Sequence, residues 1–308
     1  MLRSYLQSQN DRGVRGVGLG PAQLKILAGI VKPPMRVLTI GRLTARELGS
    51  TEQWFDLWLK ERFGLNALSL DSSDRDGATI IADLNDSSFM NSDLEGRFDL
   101  VIDGGSLEHV ANLPAAVQNY HSLLADGGLI FLCNPVNGYA GHGLYQFSPE
   151  FYYRVFSPSN GFQPLLGLLE ARHPSLFREH GFRSQFFRSP DPALFGKRLG
   201  FRGKEKTQMM FIAKKTPQGS PVFDFVQSDY QSDNGNASDS SASGAKRKQI
   251  RSTLLQLVAK RLAPRFRRRY RKYYRAVRAN RLGVPPLTQV RWGDLPHLLG
   301  GAGLNDAQ

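Results

Sequence analysis

The chain has 308 residues, 41% of them hydrophobic, which is enough for one large α/β domain with appendages or for two small domains. Its single cysteine, Cys133, excludes an intramolecular disulfide and a cysteine-based zinc site. The net charge of +13 is concentrated, because residues 246–281 hold 15 Lys or Arg and no Asp or Glu, leaving 25 basic and 27 acidic residues elsewhere. A block of this kind reads as a surface for something anionic.

Residues 1–20 carry Gly13, Gly16, Gly18 and Gly20 with no strand before them, so they read as a flexible arm and not as a phosphate-binding loop. The start has no apolar h-region, and no run approaches the ~18 apolar residues that span a bilayer. The expected location is therefore cytoplasmic, with peripheral attachment at the inner face of the membrane left open. Pro21 to Val31 has the spacing of a short helix that caps a sheet, with Leu24, Leu27, Ala28 and Val31 on one face.

Met35 to Gly41 is the first strand. Ser50 to Phe63 reads as a helix, capped by Ser50 or Thr51, with Trp54, Phe55, Leu57, Trp58 and Phe63 as its apolar stripe. Leu65 to Leu70 is a second strand ending in Asp71, and Ala78 to Leu84 a third with Asp83 near its end. Phe98 to Ile102 is a buried strand that runs into Asp103-Gly104-Gly105-Ser106-Leu107-Glu108-His109-Val110. Leu113 to Leu124 has helical spacing, Ala125 to Gly128 a turn, and Leu129 to Cys133 another buried strand, which completes a βαβ unit. In an open α/β sheet, ligands sit beyond the carboxyl ends of the strands, so the residues that follow these strands are the candidates for function.

The loop of residues 138–147 carries three glycines and the polar groups His142, Tyr145 and Gln146. Ser148, Pro149 and Glu150 then form a helix start signal. Residues 164–173 fit a strand or a helix, and 182–191 and 192–201 read as irregular. Thr207 to Lys215 is a terminal strand. From 216 to 245 the composition turns to Ser, Asp, Asn and Gly, a disordered linker. Residues 246–282 form a basic amphipathic helical segment, with Ile250, Leu254, Leu257, Val258 and Leu262 aligned and Pro264 as an interruption; 283–308 reads as a flexible tail. Three roles stay open for the basic segment: lying on an anionic membrane, gripping RNA, or packing on its own domain.

Phe98-Asp99-Leu100-Val101-Ile102-Asp103 with Leu107-Glu108-His109-Val110, followed by Leu123-Leu124-Ala125-Asp126-Gly127-Gly128-Leu129-Ile130-Phe131, resembles the fourth and fifth strands of the Rossmann-like S-adenosylmethionine-dependent methyltransferases. Gly141 to Ser157 resembles a bacterial branch of that superfamily often associated with glycan assembly. The resemblance covers roughly residues 35–215. It implies a seven-stranded, mostly parallel sheet with helices on both faces, and S-adenosylmethionine as cofactor. It also implies cofactor contacts at Gly41, Asp71, Asp83, Leu84 and Asp103, with Asp71 on the ribose hydroxyls and Asp83 on the adenine amine. The glycine-rich loop usual after the first strand is reduced here to Gly41, followed by Arg42-Leu43-Thr44.

Methyl transfer from a sulfonium is an in-line displacement that asks the protein for orientation and a dry site. A hydroxyl acceptor also needs a base. His142 and His109 are the candidates, with Tyr145 to orient the acceptor. No metal-ligand cluster and no nucleophile triad is evident from the spacing. The expected activity is methylation of a hydroxyl on a sugar, glycolipid or related metabolite, a substrate class that comes from the resemblance alone. The alternatives are a non-catalytic scaffold acting through its basic segment, or an RNA methyltransferase.

Overall fold

The run Arg36–Ile40 (β1) leaves only its first residue exposed, and it is an interior strand of a mixed sheet. In the computed structural model, residues 19–44, 54–87, 93–172, 184–195, 205–231 and 288–299 are described. The chain divides into two compact units, one of residues 1–191, 202–225 and 289–308, the other of 192–201 and 226–288.

In the first unit, helix Pro21–Leu27 (α1) precedes β1 and helix Phe55–Phe63 (α2) follows it. The next strands are Asn66–Asp71 (β2), Ile80–Ile81 (β3) and Phe98–Asp103 (β4). Helix Leu113–Leu123 (α3) leads into the long strand Leu124–Asn137 (β5), then helix Pro149–Val155 (α4) and strands Phe162–Arg172 (β6), Ser184–Arg188 (β7) and Lys206–Lys215 (β8). The described part of the second unit holds the 3-10 turn Pro192–Phe195 and the short helix Ser228–Gln231 (α5). Strand Thr288–Val290 (β9) and the 3-10 turn Trp292–His297 follow.

The sheet order is β3-β2-β1-β4-β5-β8-β6-β7-β9. β1 pairs in parallel with β2 and β4, β2 with β3, and β4 with β5. β8 inserts antiparallel between β5 and β6. The strand order reverses at β1, with β2 on one side and β4 on the other, and ligands of such sheets sit beyond the carboxyl ends of the strands at that point, here where Ile40 lies beside Asp103. Seven strands were expected; among the described residues the sheet has nine, because β7 and β9 extend its edge beyond β6.

Other expectations are corrected or sharpened. Of residues 164–173, 164–172 are strand, as part of β6, and 173 lies outside the described residues. The stretch expected to be irregular, 182–191, contains β7, which pairs antiparallel with β6 through Phe186 opposite Glu170. Asp126-Gly127-Gly128 does not break the chain into a separate turn but is absorbed in β5, where the register against β4 shifts. The third strand shrinks to two residues. The second helix begins at Phe55; Ser50 and Thr51 lie outside the described residues. Ser148 caps α4 as expected, accepting from the Phe151 amide, with Pro149 in the first turn.

Helices cover both faces. On one, Leu19, Ile26 and Leu27 of the α1 segment and Phe55 and Leu59 of α2 pack with Val37, Leu100, Ile102, Phe131, Met210 and Ile212. On the other, Tyr152, Tyr153 and Phe156 of the α4 segment meet the Phe211 ring, which alternates with Met210 and Ile212. Val290, Leu295 and Leu299, in the stretch expected to be a flexible tail, join the first of these layers. Residues 216–225, composed like a linker, are tied back as well: the Thr216 amide donates to Gly161 O and the Val222 amide to Asn160 Oδ1. The arm 1–18 and the basic segment 246–282 lie outside the described residues. None of the described helices is long and apolar enough to cross a membrane.

Candidate functional site

The carboxyl edge of the sheet collects the expected cofactor residues. Gly41 follows β1 with φ +77°, a conformation that side chains disfavour, and its amide donates to Leu70 O at 2.7 Å. A Cβ there would meet Ser106 Oγ at 3.0 Å, so the turn after β4 packs closely on it. Asp71 ends β2 half-buried. Its carboxylate accepts the Arg42 amide at 3.0 Å and the Ser73 amide at 3.2 Å. Asp83 is exposed beyond β3, where its Oδ1 accepts both the amide and the side-chain amide of Asn85. Asn85 in turn accepts the Asn112 amide at the start of α3, and neighbouring Leu84 is buried.

Asp103 is placed differently from the other carboxylates. It is fully buried, and its carboxylate accepts the amides of Gly105, Ser106 and Leu107 and the Tyr120 hydroxyl. Burial pushes its pKa up, while these donors pull the other way. Its visible work is to fold the turn after β4, which Ser106 Oγ ties to β1 by donating to Ile40 O.

The segment after Gly41 is held by a side chain. The Arg42 guanidinium is buried, 3.5 Å from Asp56 Oδ1 and 4.9 Å from the centre of the Trp54 ring. A bridge between Thr44 and Trp54, with the Phe55 amide bonded to Leu43 O, joins the segment after Gly41 to the start of α2. Leu19 and Leu43 lie over Gly104, where a Cβ would meet their methyls at 3.0 to 3.2 Å. Both side chains are buried in the core beside the ends of β1 and β4.

A second group forms where the loop of residues 138–147 meets the 3-10 turn Leu107–His109. The amides of Leu144 and Tyr145 both donate to Glu108 O, at 2.7 and 3.2 Å. Gly143 at φ +71° lets the loop approach, since a Cβ there would stand 2.9 Å from Glu108. His142 Nε2 comes to 3.5 Å from Glu108 Oε1, and the His142 ring meets His109 edge to face at 4.9 Å. Tyr145 donates its hydroxyl to Ala111 O and stacks on Phe147. Both histidines are exposed, whereas Glu108 is 2% exposed.

Glu108 Oε2 accepts from Asn134 Nδ2, and Asn134 Oδ1 accepts the Tyr152 hydroxyl. Burial, with repulsion from Asp103 second, pushes the Glu108 pKa up to about 7 against the pull of the Asn134 bond. Burial and then the neighbouring His142 push the His109 pKa down.

The fold thus brings His109, His142 and Tyr145 into one corner, and Gly41 and Asp71 into another; Asp83 and Leu84 adjoin the start of α3. Glu108 was missed as a functional residue. Its signal was an acid next to a histidine just past a buried strand, but its partner His142 lies 34 positions away in the chain and only the loop contact joins them. The spacing also hid that Glu108, His109 and His142 place ligand-type atoms within 4.8 Å of one another, where no such group was expected. Arg42 and Asp56 were missed because a buried ion pair has no periodic signature.

The sheet order, with β8 antiparallel between β5 and β6 and polar groups gathered at one edge, defines a Rossmann-like methyltransferase fold. The family model described as a methyltransferase domain matches residues 32–189, and the chain belongs to that family. No curated protein matches. Among solved structures, the chain is similar to a 1,6-didemethyltoxoflavin-N1-methyltransferase from Burkholderia thailandensis, solved with 1,6-didemethyltoxoflavin and S-adenosylhomocysteine bound; identity is 17% over 69% of this chain and 84% of that one, with a TM-score of 0.39. It is similar also to a putative methyltransferase from Bacillus halodurans (10% identity, 64% of this chain, 100% of that one, TM-score 0.39). A third is a TehB-like SAM-dependent methyltransferase from Corynebacterium glutamicum (11% identity, 69% and 94% coverage, TM-score 0.39).

Proposed function

We propose that this methyltransferase uses S-adenosylmethionine to methylate a hydroxyl group on a sugar, a glycolipid or a related small metabolite. The observation that carries the reading is the sharing of one sheet edge by two kinds of group. Carboxylates suited to a nucleoside follow β2 and β3, and an imidazole paired with a buried carboxylate overlies the end of β4. The residues present fit the cofactor: the half-buried Asp71 carboxylate offers two oxygens to a vicinal diol, Gly41 lets the backbone come close, and Asp83 with Leu84 offers a polar and an apolar contact to a base.

When bound, S-adenosylmethionine supplies a methyl group on a sulfonium, already activated for displacement. The chain's own residues do the rest. Asp103 shapes the turn between the two corners. Glu108 orients His142, which takes the acceptor proton as the oxygen attacks, with His109 beside it and Tyr145 positioning the acceptor. Leu19 and Leu43 exclude water beside the ends of β1 and β4. Replacing His142 by Ala should lower methyl transfer to a hydroxyl acceptor by about 10²- to 10⁴-fold while leaving cofactor affinity in place. Transfer of labelled methyl to a panel of sugars and lipid-linked sugars measures this; full turnover in the variant would refute the assignment.

One observation favours a second reading, a non-catalytic member of the fold. Leu19 and Leu43 lie against Gly104 beside the ends of β1 and β4, and Arg42 stands where relatives of this superfamily keep glycine. The basic segment 246–282 would then be the working part, bound to an anionic partner such as a membrane surface.

A further inference from the structure

Glu108 and His109 are consecutive in a 3-10 turn, and His142 reaches them from a loop that two backbone hydrogen bonds fasten to Glu108 O. We propose that Glu108, His109 and His142 bind a divalent transition-metal cation, with Zn²⁺ the best fit to two imidazoles and a carboxylate. Ligands at about 2.0 to 2.2 Å from a tetrahedral zinc stand roughly 3.3 to 3.6 Å apart. Glu108 Oε1 and His142 Nε2 already have that spacing, at 3.5 Å. All three ligand atoms lie within 4.8 Å, and the exposed His109 ring closes the remainder by a side-chain rotation.

The support behind the ligands is of the kind that metal sites use. Asn134 occupies one oxygen of the Glu108 carboxylate and is itself held by the buried Tyr152 hydroxyl, which leaves the other oxygen aimed at His142. The loop cannot lift away without breaking the Leu144 and Tyr145 bonds to Glu108 O. Charge points the same way. Asp103 and Glu108 are both buried, and among the described residues no Lys or Arg side chain pairs with either. Asp103 has four hydrogen-bond donors, whereas Glu108 has Asn134, its own backbone amide and a 3.5 Å approach from His142. A buried carboxylate this sparsely bonded is stabilised by a bound cation.

Three protein ligands leave a fourth position open, on the exposed side of the two histidines. This part rests on the reading given under the proposed function: a hydroxyl acceptor would take the open position. The cation would lower its pKa, and the proton would pass to water. His142 is the base in the cation-free corner and a ligand in the loaded one.

The test is Zn²⁺ binding by the untagged full-length chain, read by competition with a chromophoric chelator, with S-adenosylmethionine titrated calorimetrically into the same preparations. Wild type should bind one equivalent, and His142→Ala and His109→Ala should each weaken it by at least about tenfold. These variants change exposed side chains, so folding is not at stake, and Mn²⁺ in place of Zn²⁺ tests the choice of ion. Wild type without stoichiometric binding, or both variants with wild-type affinity, would overturn the proposal. Zinc failure with intact cofactor binding would sink the cation site and leave the methyltransferase reading standing; the converse would sink the cofactor reading alone.

Discussion

Arg42 shows how much one side chain can substitute for a sequence pattern. Where a run of glycines would leave the backbone after β1 bare, this chain holds it through a guanidinium that is 8% exposed, set against an Asp56 side chain that is 4% exposed. Ser69 Oγ donates to the other oxygen of Asp56, so the pair is anchored in β2 as well. Two buried charges gain little over an apolar pair, but removing one of them strands the other. Arg42→Ala should therefore lower the unfolding free energy by about 3 kcal/mol in a urea titration, with the slope unchanged. A loss below about 0.5 kcal/mol would mean that the pair is solvated like a surface one.

Helix α3 carries a titratable group whose effect on stability has a defined sign. His121 packs edge to face on Phe162, and its Nε2 lies where a Cβ on Gly161 would come within 2.6 Å. Burial pushes the His121 pKa down to about 4, with the Lys215 charge adding to the shift and Asp126 opposing it. The unfolded chain takes up this proton near pH ~6.5, so between these values it binds more protons than the folded one. Stability is thus full above ~6.5 and falls as pH drops toward 4. Partial solvent access limits the loss to about 1 to 2 kcal/mol. His121→Gln should flatten this slope, which melting temperatures at pH 7 and pH 5 would show.

The elements that could be read from the sequence are those with a one-dimensional signature. Phe98–Asp103 and the apolar part of β5 are runs of buried residues, α3 has its helical spacing, and Ser148 caps α4 by chemistry visible in four letters. β7 was hidden because Ser184–Arg188 is a short strand with mixed exposure, and its two consecutive phenylalanines break the alternation. Val290, Leu295 and Leu299 looked like a tail because their partners, such as Ile26 and Phe186, lie a hundred or more residues earlier. The site divides along the same line. Asp71, Asp83 and His142 follow predicted elements, whereas the Glu108–His142 contact and the Arg42–Asp56 pair exist only once the loops are folded.

At the scale of the molecule, charge is separated along the chain. Residues outside 246–281 nearly balance, and the block itself carries 15 cations. Each cation close to an anionic bilayer adds about 1 kcal/mol, and salt screens the attraction. The full chain should co-sediment with vesicles containing anionic lipid at low salt and release as salt rises, while a chain lacking residues 246–281 should stay in the supernatant. Equal sedimentation of the two would remove the membrane role, and salt-sensitive binding of RNA by the full chain alone would move the assignment there.

The central claim is that the sheet edge binds S-adenosylmethionine through Asp71. Calorimetric titration of the cofactor into wild type and Asp71→Ala tests it most directly. Micromolar binding with a stoichiometry of about one, weakened at least tenfold in the variant, is the predicted result. Folded wild type that releases no heat and binds no cofactor would contradict the account, and would leave a methyltransferase fold that works without the transfer of a methyl group.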